Sequence, residues 1–148
     1  MKSIFTEEGY QAVQNRINSL TPQTQATWGK MSVAQMMHHC QKPFALMLGK
    51  ENIKVPFMAK LMSRFYKPLL YNDKLLKQGL PTAKEFVVKD NRDFEKEKQQ
   101  LLTLVGEVHK LKSQEKFDPH PIFGSFTKEQ WGQMQYKHLD HHLRQFGV

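Results

Sequence analysis

The chain has one cysteine, Cys40, among its 148 residues, so no disulfide can form within it. A lone thiol agrees with a reducing compartment, and Cys40 reads as a small core residue. Long hydrophobic runs are missing too. The longest uncharged one, FALML at Phe44–Leu48, falls far short of the roughly 20 apolar residues that cross a bilayer. The opening MKSIFTEEGYQAVQ turns acidic and polar within a few positions and offers no apolar core for a signal peptide. A cytoplasmic protein with no membrane partner is expected. Acid is scarce, with 14 Asp and Glu against 22 Lys and Arg, a net charge of +8 with neutral histidines. Such a balance attracts polyanions without specificity. The basic residues are nevertheless scattered, often beside acids as in DFEKEK at Asp93–Lys98, and no basic run marks a nucleic-acid arm. A nucleic-acid partner is therefore not expected. With no repeat and a length sufficient for a real core, residues 1–148 read as a single domain.

What is present is helical periodicity, and the fold class expected is all-α. In the first pattern Thr6 caps a turn carrying Glu7 and Glu8, and Tyr10, Val13, Ile17 and Leu20 recur at helical spacing until Pro22. The second opens on a capping box, Ser32 with Gln35, and a staple, Met31 with Met36. Its core stripe is Val33, Met36, Met37, Cys40, Phe44 and Met47. Pro43 cannot donate to the carbonyl of His39, so a kink is expected there. A third main helix is expected from about Asn91 to Lys112, with Phe94, Leu101, Leu104, Val105, Val108 and Leu111 facing inward. The fourth repeats the logic of the second, with Thr127 and Gln130 as capping box and Phe126 and Trp131 as staple.

Between the second and third patterns, residues 49–90 make a long connection. Phe57, Met58, Leu61, Met62, Phe65 and Leu69 can form an extra amphipathic helix there, with Lys60, Arg64 and Lys67 on its other face. A basic amphipathic helix can lie on a membrane or grip a partner, but the expectation is that it covers one end of the helical bundle. The stretch QGLPTAKEFVVKD reads as loop, with at most a short extended piece at Glu85–Val88.

Three of the seven histidines fall in KHLDHHLRQFGV at the end of the chain. At about 100° per residue, Trp131, Met134, His138, His142 and Gln145 share one narrow arc, so two histidines occupy an inward face that normally holds leucine. Imidazoles at i and i+4 can hold one divalent cation but need a third ligand. In MMHHC, His39 lies nearer the core stripe than His38, which points almost opposite, so His39 is the third candidate. His109 and His120 sit near or in the loop before the last helix, and His141 points aside and is expected to be solvated. For an arbitrary H-x-x-x-H, surface or satisfied interior histidines are the commoner reading. Two inward positions, a third candidate on another helix and Pro43 favour a metal.

These residues carry a resemblance to the DinB/YfiT-like metalloenzyme superfamily, particularly its small bacterial DinB-like branch. WGKMSVAQMMHHCQ resembles the family's W-S-x-x-E-x-L-x-H segment, whose histidine falls seven residues after the serine; counting from Ser32 gives His39. HLDHHLRQF resembles the H-x-x-x-H-R-G-Q ending, which places ligands at His138 and His142 and its glutamine at Gln145. HPIFGSFTKEQWG also resembles that branch. Leu143 and Arg144 stand where the wider family often has Arg-Gly, and Gln35 replaces its glutamate. The resemblance implies a four-helix bundle with a long crossover after helix two, and a metal, nickel or zinc, held by His39, His138 and His142. Enzymes of that kind join low-molecular-weight thiols to electrophiles, or isomerise with a thiol's help.

Three neutral imidazoles leave a cation's charge uncompensated and a coordination position open, so a bound water, and a thiol more readily, can ionise near neutral pH. The function expected is a metal-dependent hydrolase or transferase acting on a small molecule, with thiol transfer as one form of it. Asp140, Gln145, Gln35 and the backbone near His39 are within reach to orient the imidazoles. The alternative is a non-catalytic helical bundle that binds a protein partner or anionic ligand through its basic surface. Pairing of the chain into a homodimer stays open.

Overall fold

The computed structural model describes residues 2–82 and 84–148, the side chain of Ala59 excepted. Among the described residues it is all-helical: α1 (Glu7–Ser19), α2 (Val33–Met47), α3 (Phe57–Tyr66), α4 (Phe94–Lys110) and α5 (Lys128–Gln145). Short 3-10 turns follow α3 at Lys67–Leu70 and α4 at Leu111–Ser113, and another lies at Lys84–Phe86.

The start signals act as their residue types require. At α2, Ser32 Oγ accepts from the Gln35 amide (3.2 Å) and Gln35 Oε1 from the Ser32 amide (3.0 Å). At α5, Thr127 and Gln130 exchange the same pair of bonds at 3.2 and 3.0 Å. Each box satisfies two amides that a helix end otherwise leaves without partners. The Phe126 and Trp131 rings of the second staple meet at 5.2 Å. Asp93 caps α4, taking the Lys96 amide at 2.8 Å, so that helix begins at Phe94 rather than near Asn91. The α2 helix runs unbroken through Pro43, whose carbonyl accepts from the buried Gln135 side chain at 2.9 Å.

Four helices share one core. Val13 and Ile17 of α1, Met36, Met37, Cys40 and Phe44 of α2, Leu101, Val105 and Val108 of α4, and Leu139 and Leu143 of α5 are all fully buried in it. The α2–α4 contact is the most extensive; α1 packs on α4 and α5, and α2 also packs on α5. The long connection from α2 to α4 lies outside this core. At the N-terminus, the Ile4 amide bonds the carbonyl of Gly132 at 3.0 Å, and a Cβ on Gly132 would come within 2.1 Å of Ser3 Oγ, so α5 is closely approached there.

Two expectations fail in the connection. The α3 helix forms, but it does not cover the bundle with its apolar side. Its one buried described side chain is Ser63, whose hydroxyl reaches the carbonyl of Ile122 at 2.8 Å, while Phe57 and Phe65 are 77% and 75% exposed. Beside this contact, α3 and the turn at residues 119–125 line a cleft of about 820 Å³. The piece expected to be extended at Glu85–Val88 instead overlaps the 3-10 turn, which buries the Phe86 ring.

Candidate metal centre

The histidine site joins the middle of α2 to the last turns of α5. Seven residues after the cap, His39 has come two turns along α2. His138 and His142 stand one turn apart on α5. One ring nitrogen from each of the three lies within 4.8 Å of the other two. The His39 and His138 rings approach Nε2 to Nε2 at 3.1 Å. Three nitrogens bound to a tetrahedral cation sit on the order of 3.3 Å apart, given bonds of about 2.0–2.1 Å.

Carbonyl groups determine where the hydrogens are. A carbonyl oxygen can only accept, so the 3.0 Å bond from His39 Nδ1 to the Phe86 carbonyl fixes the hydrogen on Nδ1 and leaves a lone pair on Nε2. Gln145 Oε1 does the same for His142 at 2.9 Å. The glutamine is itself oriented, since its Nε2 donates to the Trp28 carbonyl at 2.7 Å. Gly29 leaves room for that amide: its φ is +83°, and a Cβ there would lie 2.4 Å from Gln145 Nε2. Thr27 secures the same corner, donating to the Gln145 carbonyl from both its amide (2.8 Å) and its hydroxyl (3.0 Å).

With His39 carrying its hydrogen on Nδ1, the short contact to His138 is made by His138 Nε2–H donating. That leaves His138 Nδ1 buried without a partner. A cation bound to the Nε2 atoms of both His39 and His138 would replace this contact, with the His138 hydrogen moved to Nδ1. The donor set therefore fits a divalent metal: neutral imidazoles, two of them already held in the ligating tautomer.

Burial keeps the ligands neutral. It pushes the His142 imidazole down to about 3, helped by His39 nearby, and lowers His39 despite the Phe86 bond. Burial also holds His138 well below its ordinary range, and repulsion from His142 and His39 adds to this.

His38 is kept out of the site, as its place on the helix implies: its Nδ1 meets the buried carboxylate of Glu97 at 3.0 Å. His109 and His120 have other work. His109 donates to the Ile4 carbonyl (2.8 Å), and His120 Nδ1 accepts the Ile122 amide (3.0 Å). His141 corrects an expectation, for it is buried rather than solvated. Its ring stands edge-on to His142 at 5.1 Å and to Trp28 at 6.0 Å. The solvated reading fails because α5 is buried around most of its circumference, with even Lys137 covered.

Among the residues within reach to orient the ligands, only Gln145 does so. Asp140 is taken by Arg16 (2.7 Å) and Arg144 (2.9 Å), and Gln35 by its capping box and the Asp90 carbonyl. The Phe86 carbonyl had no sequence signal, lying 47 positions from His39 in an irregular segment.

A family model described as "Protein of unknown function (DUF1569)" matches residues 3–147. The chain belongs to that family. The match spans all five helices, including the two that carry the histidines. Comparison with curated proteins and with solved structures returned no match.

Proposed function

We propose that this DUF1569 chain is a metal-dependent hydrolase or transferase acting on a small molecule, on a four-helix bundle of the DinB/YfiT type. Nickel or zinc is the ion, and His39, His138 and His142 are its ligands. The observation that carries the reading is the pair of carbonyl contacts, Phe86 to His39 and Gln145 to His142, which hold both imidazoles with the hydrogen on Nδ1 and the lone pair on Nε2. Histidines that merely fill space do not need a common meeting point for their lone pairs. The shared core of α1, α2, α4 and α5 and the long connection after α2 support the bundle type.

When bound, the ion supplies a Lewis acid with a position free for a water or thiol, whose acidity it raises. The protein does the rest. Phe86 and Gln145 aim the ligands, and the Phe86 and Trp28 rings stand edge-on to His39 and His141. His141 is suited to accept a proton: burial keeps it neutral, with Arg144 adding to the effect, and its Nδ1 has no hydrogen-bond partner. A low-molecular-weight thiol is the substrate class favoured by the resemblance of WGKMSVAQMMHHCQ and HLDHHLRQF to the DinB/YfiT-like superfamily, which includes thiol-transferring enzymes.

The test is a rate measurement with nickel- or zinc-loaded protein on an activated ester and on a thiol paired with an electrophile. Acceleration of one reaction, lost in His142→Ala, is expected. Equal rates for the loaded protein and the variant in both assays contradict the proposal.

A further inference from the structure

We infer that α3 and the chain following it form a docking surface for an anionic lipid bilayer, on which the protein lies without crossing it. Among the described residues, all ten large hydrophobic side chains that are exposed lie between Phe57 and Val87. Six of them, Phe57, Met58, Leu61, Met62, Phe65 and Tyr66, belong to α3 itself. At about 100° per residue they spread over roughly half the helix circumference. Ser63, on the opposite side, is buried and bonds the Ile122 carbonyl of the protein body, unlike the other described side chains of the helix. The helix is thus mounted with its polar side inward and its apolar side in solvent. That arrangement leaves unfavourable apolar hydration in place unless something covers it.

The charge on the segment indicates the cover. From Asn52 to Asn72 there are four basic residues, Lys54, Lys60, Arg64 and Lys67, and no acid. Lys60 and Arg64 are exposed at one edge of the apolar arc, and beyond the segment Lys74 and Lys77 outweigh the single acid Asp73. A surface that is apolar, aromatic and basic at once complements the boundary of an anionic bilayer, where rings and methionines enter the headgroup region and ammonium groups meet phosphates. A second copy of the chain fits less well. It would bring the same basic edge against itself with no acid from residues 52–72 to answer it, and a helix pair needs a narrower apolar seam than this half-circumference. The absence of any helix long and apolar enough to span a membrane is no obstacle, because adsorption requires only one face. Here the exposed face argues against the expectation of no membrane partner.

The experiment sediments the full chain with vesicles of mixed phosphatidylglycerol and phosphatidylcholine, and with vesicles of phosphatidylcholine alone. It reads binding, so it is independent of whether the metal-site proposal holds. Binding to the anionic vesicles at low salt is expected, with little binding to the neutral ones. Phe57→Ser with Phe65→Ser, and separately Lys60→Glu with Arg64→Glu, should each weaken binding about tenfold or more while the helical circular dichroism is unchanged. No preference for anionic vesicles, or equal binding by these variants, overturns the inference. So does a chain that stays in solution as a dimer and becomes monomeric in the phenylalanine variant, which would assign the face to a second copy.

Discussion

Gln145 Oε1 lies 2.9 Å from His142 Nδ1 while its Nε2 donates to the Trp28 carbonyl at 2.7 Å. The amide is held from one side so that it can hold the imidazole on the other, which ties the end of α5 to the loop before α2. Replacing Gln145 by Ala removes the acceptor that keeps the His142 hydrogen on Nδ1. Metal affinity should fall about 10- to 100-fold, as for other partners that orient a ligand, with the helical content retained. Gly29→Ala should act in the same direction by pushing the amide away. Titration with nickel or zinc checks both; affinities equal to the parent's would contradict the orienting role.

The two capping boxes are legible in the sequence alone, and each should have a measurable energy. Ser32→Ala and Thr127→Ala each remove an acceptor from a helix-start amide, at 3.2 Å in both cases. A loss of about 1 kcal/mol is expected from each. Because the two caps lie on different helices, the double variant should lose the sum, read by denaturant unfolding.

Acid should destabilise the metal-free protein. Burial holds His142 at about 3 and His120 at about 4, whereas in the unfolded chain both titrate near about 6.5. Between those values the unfolded chain binds more protons than the folded one. Stability is therefore fully present above about pH 6.5 and is lost as pH falls towards 4 and then 3, with a slope of about 1.4 kcal/mol per pH unit for each such group. Unfolding free energies that stay level from about pH 7 to 5 would contradict the buried, neutral histidines.

Bound metal adds to this, since an ion that binds only the native state stabilises it with the logarithm of its concentration. A chelator should lower the melting temperature of metal-loaded protein at about pH 7.5, nickel or zinc should restore it, and near about pH 5 the difference should largely vanish as the imidazoles protonate. Identical melting curves with and without chelator at the higher pH would contradict any contribution of the metal to folding.

Much of the histidine site was readable because its spacing is local. Ser32 sets the register of α2, which turns His39 rather than His38 inward, and i,i+4 spacing puts His138 and His142 on one side of α5. The partners that complete it are not local. The Phe86 carbonyl reaches His39 from an irregular segment with no periodicity to place it. His141 looked peripheral on one helix, and only the packing of neighbouring segments buries it. For α3 the amphipathic pattern gave the helix correctly, but a pattern cannot say which side meets the body. Ser63 and the Ile122 carbonyl decided that, and they decided it against the apolar face.

The most direct measurement is the metal content of protein purified without a histidine tag and then offered nickel or zinc, in the parent, His38→Ala, His39→Ala and His142→Ala. The account predicts one divalent ion per chain in the parent and in His38→Ala, whose ring is engaged with Glu97, and loss of most binding in the other two. No stoichiometric metal in the parent, or equal binding by the His38 and His39 variants, would contradict it.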